Sequence, residues 1–351
     1  MSTPAFVLGG TGYVAGELLR LIAGHPQLTL SAVLSDSQPG ESVANAFPHL
    51  QSAYPQLAFS SHDEIAAAIA REKVSALFSA APHGVSAALV DGLLKRAEQA
   101  GVRVHVVDIS ADFRHSSPAV YEKIYKHEHG APERLQQFSC AVPEHLKTAR
   151  TPHIAHPGCF ATAVLLASVP LLSLGLVEPH LFVAGVTGST GSGRKPTEGT
   201  HHPLRHSDLY TYNALSHRHT PEIAACAQAA SGVAAEFAFV PHSGPFARGI
   251  HVTVQGRLKK ETDGAAIRAA LAEYYKGCPF VRVNADAPRI KDVVASNYAH
   301  LGVAANGRSV AVMCAIDNLN KGAAGGAVQW MNRLLGFEET AGLTAPAAGW
   351  T

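Results

Sequence analysis

Charge is scarce in this chain. Asp, Glu, Lys and Arg make up 16% of 351 residues and nearly cancel, leaving a formal net charge of +1. No long basic run stands out, so nucleic-acid binding has no electrostatic support. Cysteine is sparse: Cys140, Cys159, Cys226, Cys278 and Cys314, with no C-x-x-C spacing. That pattern argues against a disulfide framework and fits a reducing cytosol. No stretch approaches the ~20 apolar residues needed to span a bilayer. The opening Met1-Ser2-Thr3-Pro4 lacks the charged region and cleavage site of a signal peptide. Internal repeats, low-complexity blocks and flexible linkers are also missing. The expectation is a soluble cytoplasmic globular protein, long enough for two domains with separate cores.

Alternating strand and helix patterns fill the first 150 residues, as in βαβ units around a parallel sheet. Strands are expected at 5–8, 28–34, 76–80 and 102–109, with helices at 13–24, 63–71 and 85–99. From 151 the pattern becomes α+β. Strands at 181–186, 235–240, 249–254 and 309–316 mix with helices at 221–230, 264–275 and 323–335, suggesting a substantially antiparallel sheet. The tail from Glu338, rich in Ala, Gly, Thr and Pro, is expected to be loose.

Gly9-Gly10-Thr11-Gly12-Tyr13-Val14-Ala15-Gly16 follows the first strand and opens a helix. Gly9 allows a tight turn, and Gly12 lets backbone approach a pyrophosphate at the helix N-terminus. Ala15 or Gly16 permits close helix–sheet contact. The spacing is G-x-x-G, so a plain glycine turn is the competing reading. At the end of the second strand, Asp36 suits the ribose 2′-OH of NAD, whereas Ser35 and Ser37 suit a 2′-phosphate. Both choices stay open at this stage, as does a solvated loop position for Asp36.

His156-Pro157-Gly158-Cys159-Phe160-Ala161-Thr162 precedes the apolar run Ala163–Leu174. If that run is a buried helix, the thiol sits at its positive end, where a thiolate forms more easily. A buried structural cysteine is the alternative. Downstream, Ser216-His217-Arg218-His219-Thr220-Pro221-Glu222 places two histidines before a helix with Thr220 as N-cap and Pro221 at N1. Either histidine suits acid–base work with a thiolate. Their i, i+2 spacing makes a poor metal pair, and no metal is expected. Arg114, Arg194 and Arg248 lie beside loops and suit a phosphate or carboxylate clamp; a solvated surface role is the default for each.

Taken together, these segments resemble N-acetyl-gamma-glutamyl-phosphate reductase, a relative of aspartate-semialdehyde dehydrogenase. Further matching blocks are Ala81-Pro82-His83-Gly84-Val85-Ser86, Asp108–Arg114, Gly188-Ser189-Thr190-Gly191-Ser192-Gly193-Arg194 and Asp317–Gly325. The resemblance implies an α/β fold: a Rossmann-type domain at 1–150, completed by 318–351, and an α+β catalytic and oligomerisation domain at 151–317 with a mixed, largely antiparallel sheet. It implies Cys159 as nucleophile, His217 as acid/base partner and Glu222 orienting the imidazole. An NADP cofactor would be held by Gly9, Thr11, Gly12, Tyr13, Val14, Ser35, Ser37, Pro82, Gly191 and Asn318. The small-molecule acyl phosphate would be held by Arg114, Ser192, Arg194, His219 and Arg248. It further implies a homodimer or homotetramer associating through the second domain, with no nucleic-acid or membrane partner.

Two segments depart from the family pattern. Cys140-Ala141-Val142-Pro143-Glu144 replaces a Tyr-Gly-Leu-Pro-Glu-like segment. His201-His202-Pro203-Leu204-Arg205-His206 is similar to relatives that act on lysine-pathway or carrier-linked substrates.

The implied reaction is NADPH-dependent reduction of N-acetyl-gamma-glutamyl phosphate to N-acetylglutamate 5-semialdehyde through a Cys159 thioester, in arginine biosynthesis. The nearest alternative is a related dehydrogenase acting on a carrier-linked glutamyl or aminoadipyl phosphate, or on aspartyl phosphate. A non-catalytic dinucleotide sensor is the reading from a different class.

Overall fold

The computed structural model describes residues 2–349. The described residues divide into two compact units: 2–143 with Thr148–His156 and Ala324–Thr344, and Glu144–Lys147 with Pro157–Ala323 and 345–349. The sequence reading drew the boundary at 150 and the return at 318; the structure draws the return at Ala324. Asp317 explains the later return, because its carboxylate accepts from Arg248 and from the amides of Ala295, Leu319 and Asn320, all in the second unit.

The first unit holds β1 (Thr3–Leu8), α1 (Tyr13–Ala23), β2 (Leu28–Val33), the short α2 (Val43–Ala46), α3 (His62–Ile69), β3 (Val74–Ser79), α4 (Ser86–Gln99), β4 (Arg103–Asp108) and α5 (Pro118–Tyr125). Two short strands, β5 (Phe138–Cys140) and β6 (His153–Ala155), complete a six-stranded sheet of order β2-β1-β3-β4-β6-β5, parallel throughout. Ala5, Phe6, Val7 and Leu8 are fully buried, as are Ala76, Leu77 and Phe78, so these strands read as apolar runs covered on both faces. Ser61 caps α3 in a reciprocal box with Glu64.

The second unit begins its main run with α6 (Cys159–Ser173), in which every residue from Phe160 to Leu172 is buried. A helix buried on every side belongs in the centre of a unit, and α6 packs against two strands and a second helix of this unit. Around it lie β7 (His180–Thr187), α7 (His202–Arg205), β8 (Tyr210–Thr211), α8 (Thr220–Ser231), β9 (Glu236–Ser243), β10 (Ile250–Arg257), α9 (Gly264–Tyr274), β11 (Val281–Val283), β12 (Ala299–Asn306) and β13 (Ser309–Ile316). The sheet order is β11-β12-β13-β10-β7-β9-β8. Two of its pairings, β7–β9 and β11–β12, are parallel and the rest antiparallel, the mixed sheet that was expected.

The chain then passes through a π-helical turn, Asn320–Ala324, into α10 (Gly325–Leu335), which returns to the first unit and packs on β4 and α1. Of the segment expected to be loose, residues 338–344 are anchored there. Asn332 donates to the carbonyls of Glu339 and Ala341, Arg333 and Gln329 both reach the Glu339 carboxylate, and Leu343 is buried. Its composition hid these contacts because the partners lie on α10, not in the tail itself. Among the described residues no helix is long and apolar enough to cross a membrane.

Candidate active site

In the first unit the glycine turn sits where the strand order reverses, between β1 and β3, the place where open α/β sheets bind ligands. Gly9 has φ +77°, and a Cβ there would collide with the carbonyl and amide of Ala80–Ala81. Gly12 is the N-cap of α1, and no side chain caps the first turn. Thr11 lies inside the turn. Of the two residues expected to permit close helix–sheet contact, Ala15 is fully buried, while Gly16 lies beneath the Phe47 ring, where a Cβ would be 2.7 Å from Cε1.

The loop carrying Pro82 is pinned by Asp112, whose carboxylate accepts from the amides of Gly84 and Ala87 and from Tyr121 OH. Beyond β2, Ser35 is buried and its Oγ lies 3.4 Å from Ser37 Oγ, while Asp36 is exposed. Arg114 is also buried. Its Nε donates to the His156 carbonyl and its Nη2 to that of Ile109, tying the ends of β4 and β6 together.

In the second unit Cys159 is the first residue of α6, behind the N-cap Gly158, and is partly exposed. The thiol therefore stands at the positive end of a 15-residue helix. Glu222, fully buried in the first turn of α8, accepts from the Gly158 amide at 2.6 Å. Through this bond the Glu222 carboxylate holds the backbone that presents the thiol. Gly322, in the π-helical turn, approaches from another side, and a Cβ on it would come within 2.8 Å of Cys159 Cβ.

His217 is 7% exposed, boxed by Phe160, Tyr212, Phe239 and His219. Its Nδ1 accepts from the His219 amide, which leaves Nε2–H as the donor of the neutral ring. Burial, reinforced by Arg218, lowers its pKa to about 4. The Tyr212 ring is 5.6 Å from that of His217, and burial, then the Cys159 charge, raises the pKa of its phenol. His219, and not Thr220, is the N-cap of α8.

The lowered His217 pKa has a measurable consequence. In the unfolded chain this ring titrates near 6.5. Between pH 6.5 and about 4 the unfolded state therefore holds a proton that the folded state refuses, and stability falls as pH falls through that window. Burial lowers His153 to about 4 as well, with the same sign. The urea midpoint is expected to drop from pH 7 to pH 4.5, and to drop less in His217→Gln. Equal pH slopes for the two proteins would contradict a buried, neutral imidazole.

The loop from Gly188 to Gly193 is held by its neighbours. Thr190 Oγ1 donates to Ala247 O and accepts from Asn318 Nδ2, while Asn318 Oδ1 accepts from the Gly249 amide. Asn318 thus braces the loop that carries Gly191 and Ser192. Ser192 and Arg194 are exposed. Arg248 spends its Nε and Nη2 on Asp317, at 3.0 and 3.1 Å. Sequence reasoning did not single out Tyr212, Asp317 or Gly322. The last two lie inside the Asp317–Gly325 block that carried the resemblance, whereas no periodicity or motif marks Tyr212.

Two family models match the chain: "Semialdehyde dehydrogenase, NAD binding domain" over residues 5–145 and "Semialdehyde dehydrogenase, dimerisation domain" over 159–318. An N-acetyl-gamma-glutamyl-phosphate reductase of Methanopyrus kandleri is 41% identical over 346 residues, covering 97% of each chain. One from Shouchella clausii is 37% identical over 349 residues, again 97% of each. Among solved structures, aspartate semialdehyde dehydrogenase II of Vibrio cholerae superposes with a TM-score of 0.68 at 14% identity, over 95% of this chain and 98% of that one. The Candida albicans aspartate semialdehyde dehydrogenase solved with NADP gives 0.65 at 14%, over 96% and 99%. The fold is that of the semialdehyde dehydrogenases, and the chain belongs to the N-acetyl-gamma-glutamyl-phosphate reductase family.

Proposed function

We propose that this protein reduces N-acetyl-gamma-glutamyl phosphate to N-acetylglutamate 5-semialdehyde with release of inorganic phosphate, through a thioester on Cys159. The observation that carries the reading is the placement of Cys159 at the N-terminus of a buried helix, in a chain whose relatives bearing that name match it end to end. Those relatives favour this substrate over the carrier-linked and aspartyl alternatives.

The chemistry follows from the second unit's own groups. The α6 N-terminus and the backbone fixed by Glu222 hold the Cys159 sulfur as thiolate beside the carbonyl carbon. The sulfur bonds to that carbon, the C–O bond to phosphate breaks, and phosphate leaves with the electron pair. A bound nicotinamide cofactor supplies the hydride that reduces the thioester. His217, neutral and presenting Nε2–H, donates to the oxyanion that forms at the former carbonyl and steadies it until the C–S bond breaks and the aldehyde departs.

The first unit fits such a cofactor. Gly9 removes the Cβ that would fill the turn, and the uncapped start of α1 offers N–H groups to a pyrophosphate. Between the two nucleotides we propose NADPH. Two hydroxyls, Ser35 and Ser37, stand together at the end of β2, and the Asp36 carboxylate is exposed, free to turn into solvent. Gly191 and Asn318 take part by shaping the glycine loop. For substrate we propose Ser192, Arg194 and His219, with Arg248 holding Asp317 beside the glycine loop.

Association as a homodimer or homotetramer in the cytoplasm completes the proposal. The second unit offers an open sheet face with a groove of about 860 Å³, where Phe182 is 57% exposed. The testing assay is phosphate-dependent reduction of NADP or NAD by N-acetylglutamate semialdehyde. Turnover is expected with both substrates present, faster with NADP, and lost without phosphate. Absorbance unchanged with either nucleotide would defeat the assignment.

A further inference from the structure

Arg205 ends α7 and is 8% exposed. One nitrogen, Nη1, donates to the Asp208 carbonyl at 3.2 Å, and the guanidinium lies 5.9 Å from the centre of the Tyr210 ring. Its Nε and Nη2 are buried and meet no acceptor among the described residues. These two nitrogens form one edge of the guanidinium, with parallel N–H bonds spaced to match the oxygens of a carboxylate. The other two buried arginines have that edge filled. Arg134 gives Nε to Asp91 and Nη2 to Glu98, and Arg114 gives both to backbone carbonyls. Partly exposed Arg248 shows the complete pairing, both nitrogens on one carboxylate, Asp317. A charged edge buried without acceptors is strongly unfavourable unless an anion completes it.

The position of Arg205 says which anion. β8 carries Tyr210 under the guanidinium, pairs with Ser243 and His242 of β9, and continues through the Tyr212 amide bonded to Pro241. Tyr210 and Tyr212 are two residues apart, so they share a strand face about 6.6 Å from each other. Tyr212 is the residue whose ring lies 5.6 Å from that of His217. Arg205 therefore packs on the ring two residues before Tyr212, whose own ring meets that of His217. Ser207, Asn213 and Leu215 hold left-handed φ values of 58°, 45° and 57° around this strand. Such backbone persists only where surrounding structure imposes it.

We infer that Arg205 anchors the substrate's carboxylate, the end of the acyl phosphate remote from the reacting carbonyl. The inference rests on the function proposed above and names the residue that recognises its substrate class. The test compares Arg205→Gln and Arg205→Lys with the unaltered enzyme in the aldehyde-oxidising direction, using N-acetylglutamate semialdehyde and the carboxylate-free pentanal. In Arg205→Gln, kcat/KM for the carboxylate-bearing aldehyde is expected to fall about 30- to 100-fold, chiefly through KM. Arg205→Lys should lie between. Pentanal oxidation and KM for phosphate should stay unchanged.

Equal losses with both aldehydes would make Arg205 structural, and a raised phosphate KM with both would assign the edge to phosphate. Either overturns the inference, as does no change. A binding measurement separates it from the reaction itself. N-acetylglutamate should raise the melting temperature of the unaltered protein more than its α-carboxamide does. That result without turnover would keep the anchor and remove the reaction, and equal protection by the two compounds would remove the anchor. It requires no variant to fold.

Discussion

Replacing Cys159 with serine is expected to lower phosphate-dependent turnover by about 10⁴-fold or more, the scale seen when a covalent nucleophile is lost. Size and helix position are preserved, so binding of nucleotide and substrate should survive. An alkoxyl group lacks the property that places sulfur here: the α6 N-terminus stabilises a thiolate far more readily than it ionises a serine hydroxyl. Steady-state kinetics with both aldehyde and phosphate varied would check it. A loss below tenfold would mean that the acyl group never resides on this side chain.

Asp317 carries the second large effect. It is fully buried and accepts from both nitrogens of the Arg248 edge and from the amides of Ala295, Leu319 and Asn320. Asp317→Ala leaves one guanidinium edge and three amides without their acceptor, a change expected to cost about 3–5 kcal/mol. The same residue sets up Asn318, its neighbour, which braces the Gly188–Gly193 loop. Turnover should therefore fall along with stability. Urea denaturation at pH 7 reads the first effect, and a cost under 1 kcal/mol would show that the network is not what holds this corner together.

Much of this was legible in the residues themselves. The parallel sheet announced itself through apolar runs such as Phe6–Leu8 and Leu77–Phe78, and the helix behind Cys159 through a predominantly apolar stretch. The glycine turn was readable because Gly9 and Gly12 carry backbone requirements that few other residues meet. Short strands were not readable. β5 and β6 have three residues each, too few for a periodic signal, and they exist because β4 offers them an edge.

Side-chain pairings across long sequence separations were hidden too. Glu222 reaches an amide 64 residues earlier, a contact no local motif announces. Arg248 reads as a free cation until Asp317 is seen beneath it. The buried pair of Lys321 and Glu144, at 2.6 Å, spans 177 residues and has no local signature at all. Such contacts are decided by which strands and turns the fold brings together. That is also why the unfilled edge of Arg205 is visible only in three dimensions.

The most direct measurement is the intact mass of the protein after brief incubation with the acyl phosphate in the absence of nucleotide. With no hydride available, one acyl group per chain should accumulate, map by peptide fragmentation to Cys159, and disappear on addition of NADPH as aldehyde is released. A protein whose mass never changes, or whose adduct sits on another side chain, would contradict the thioester and with it the role given to Cys159.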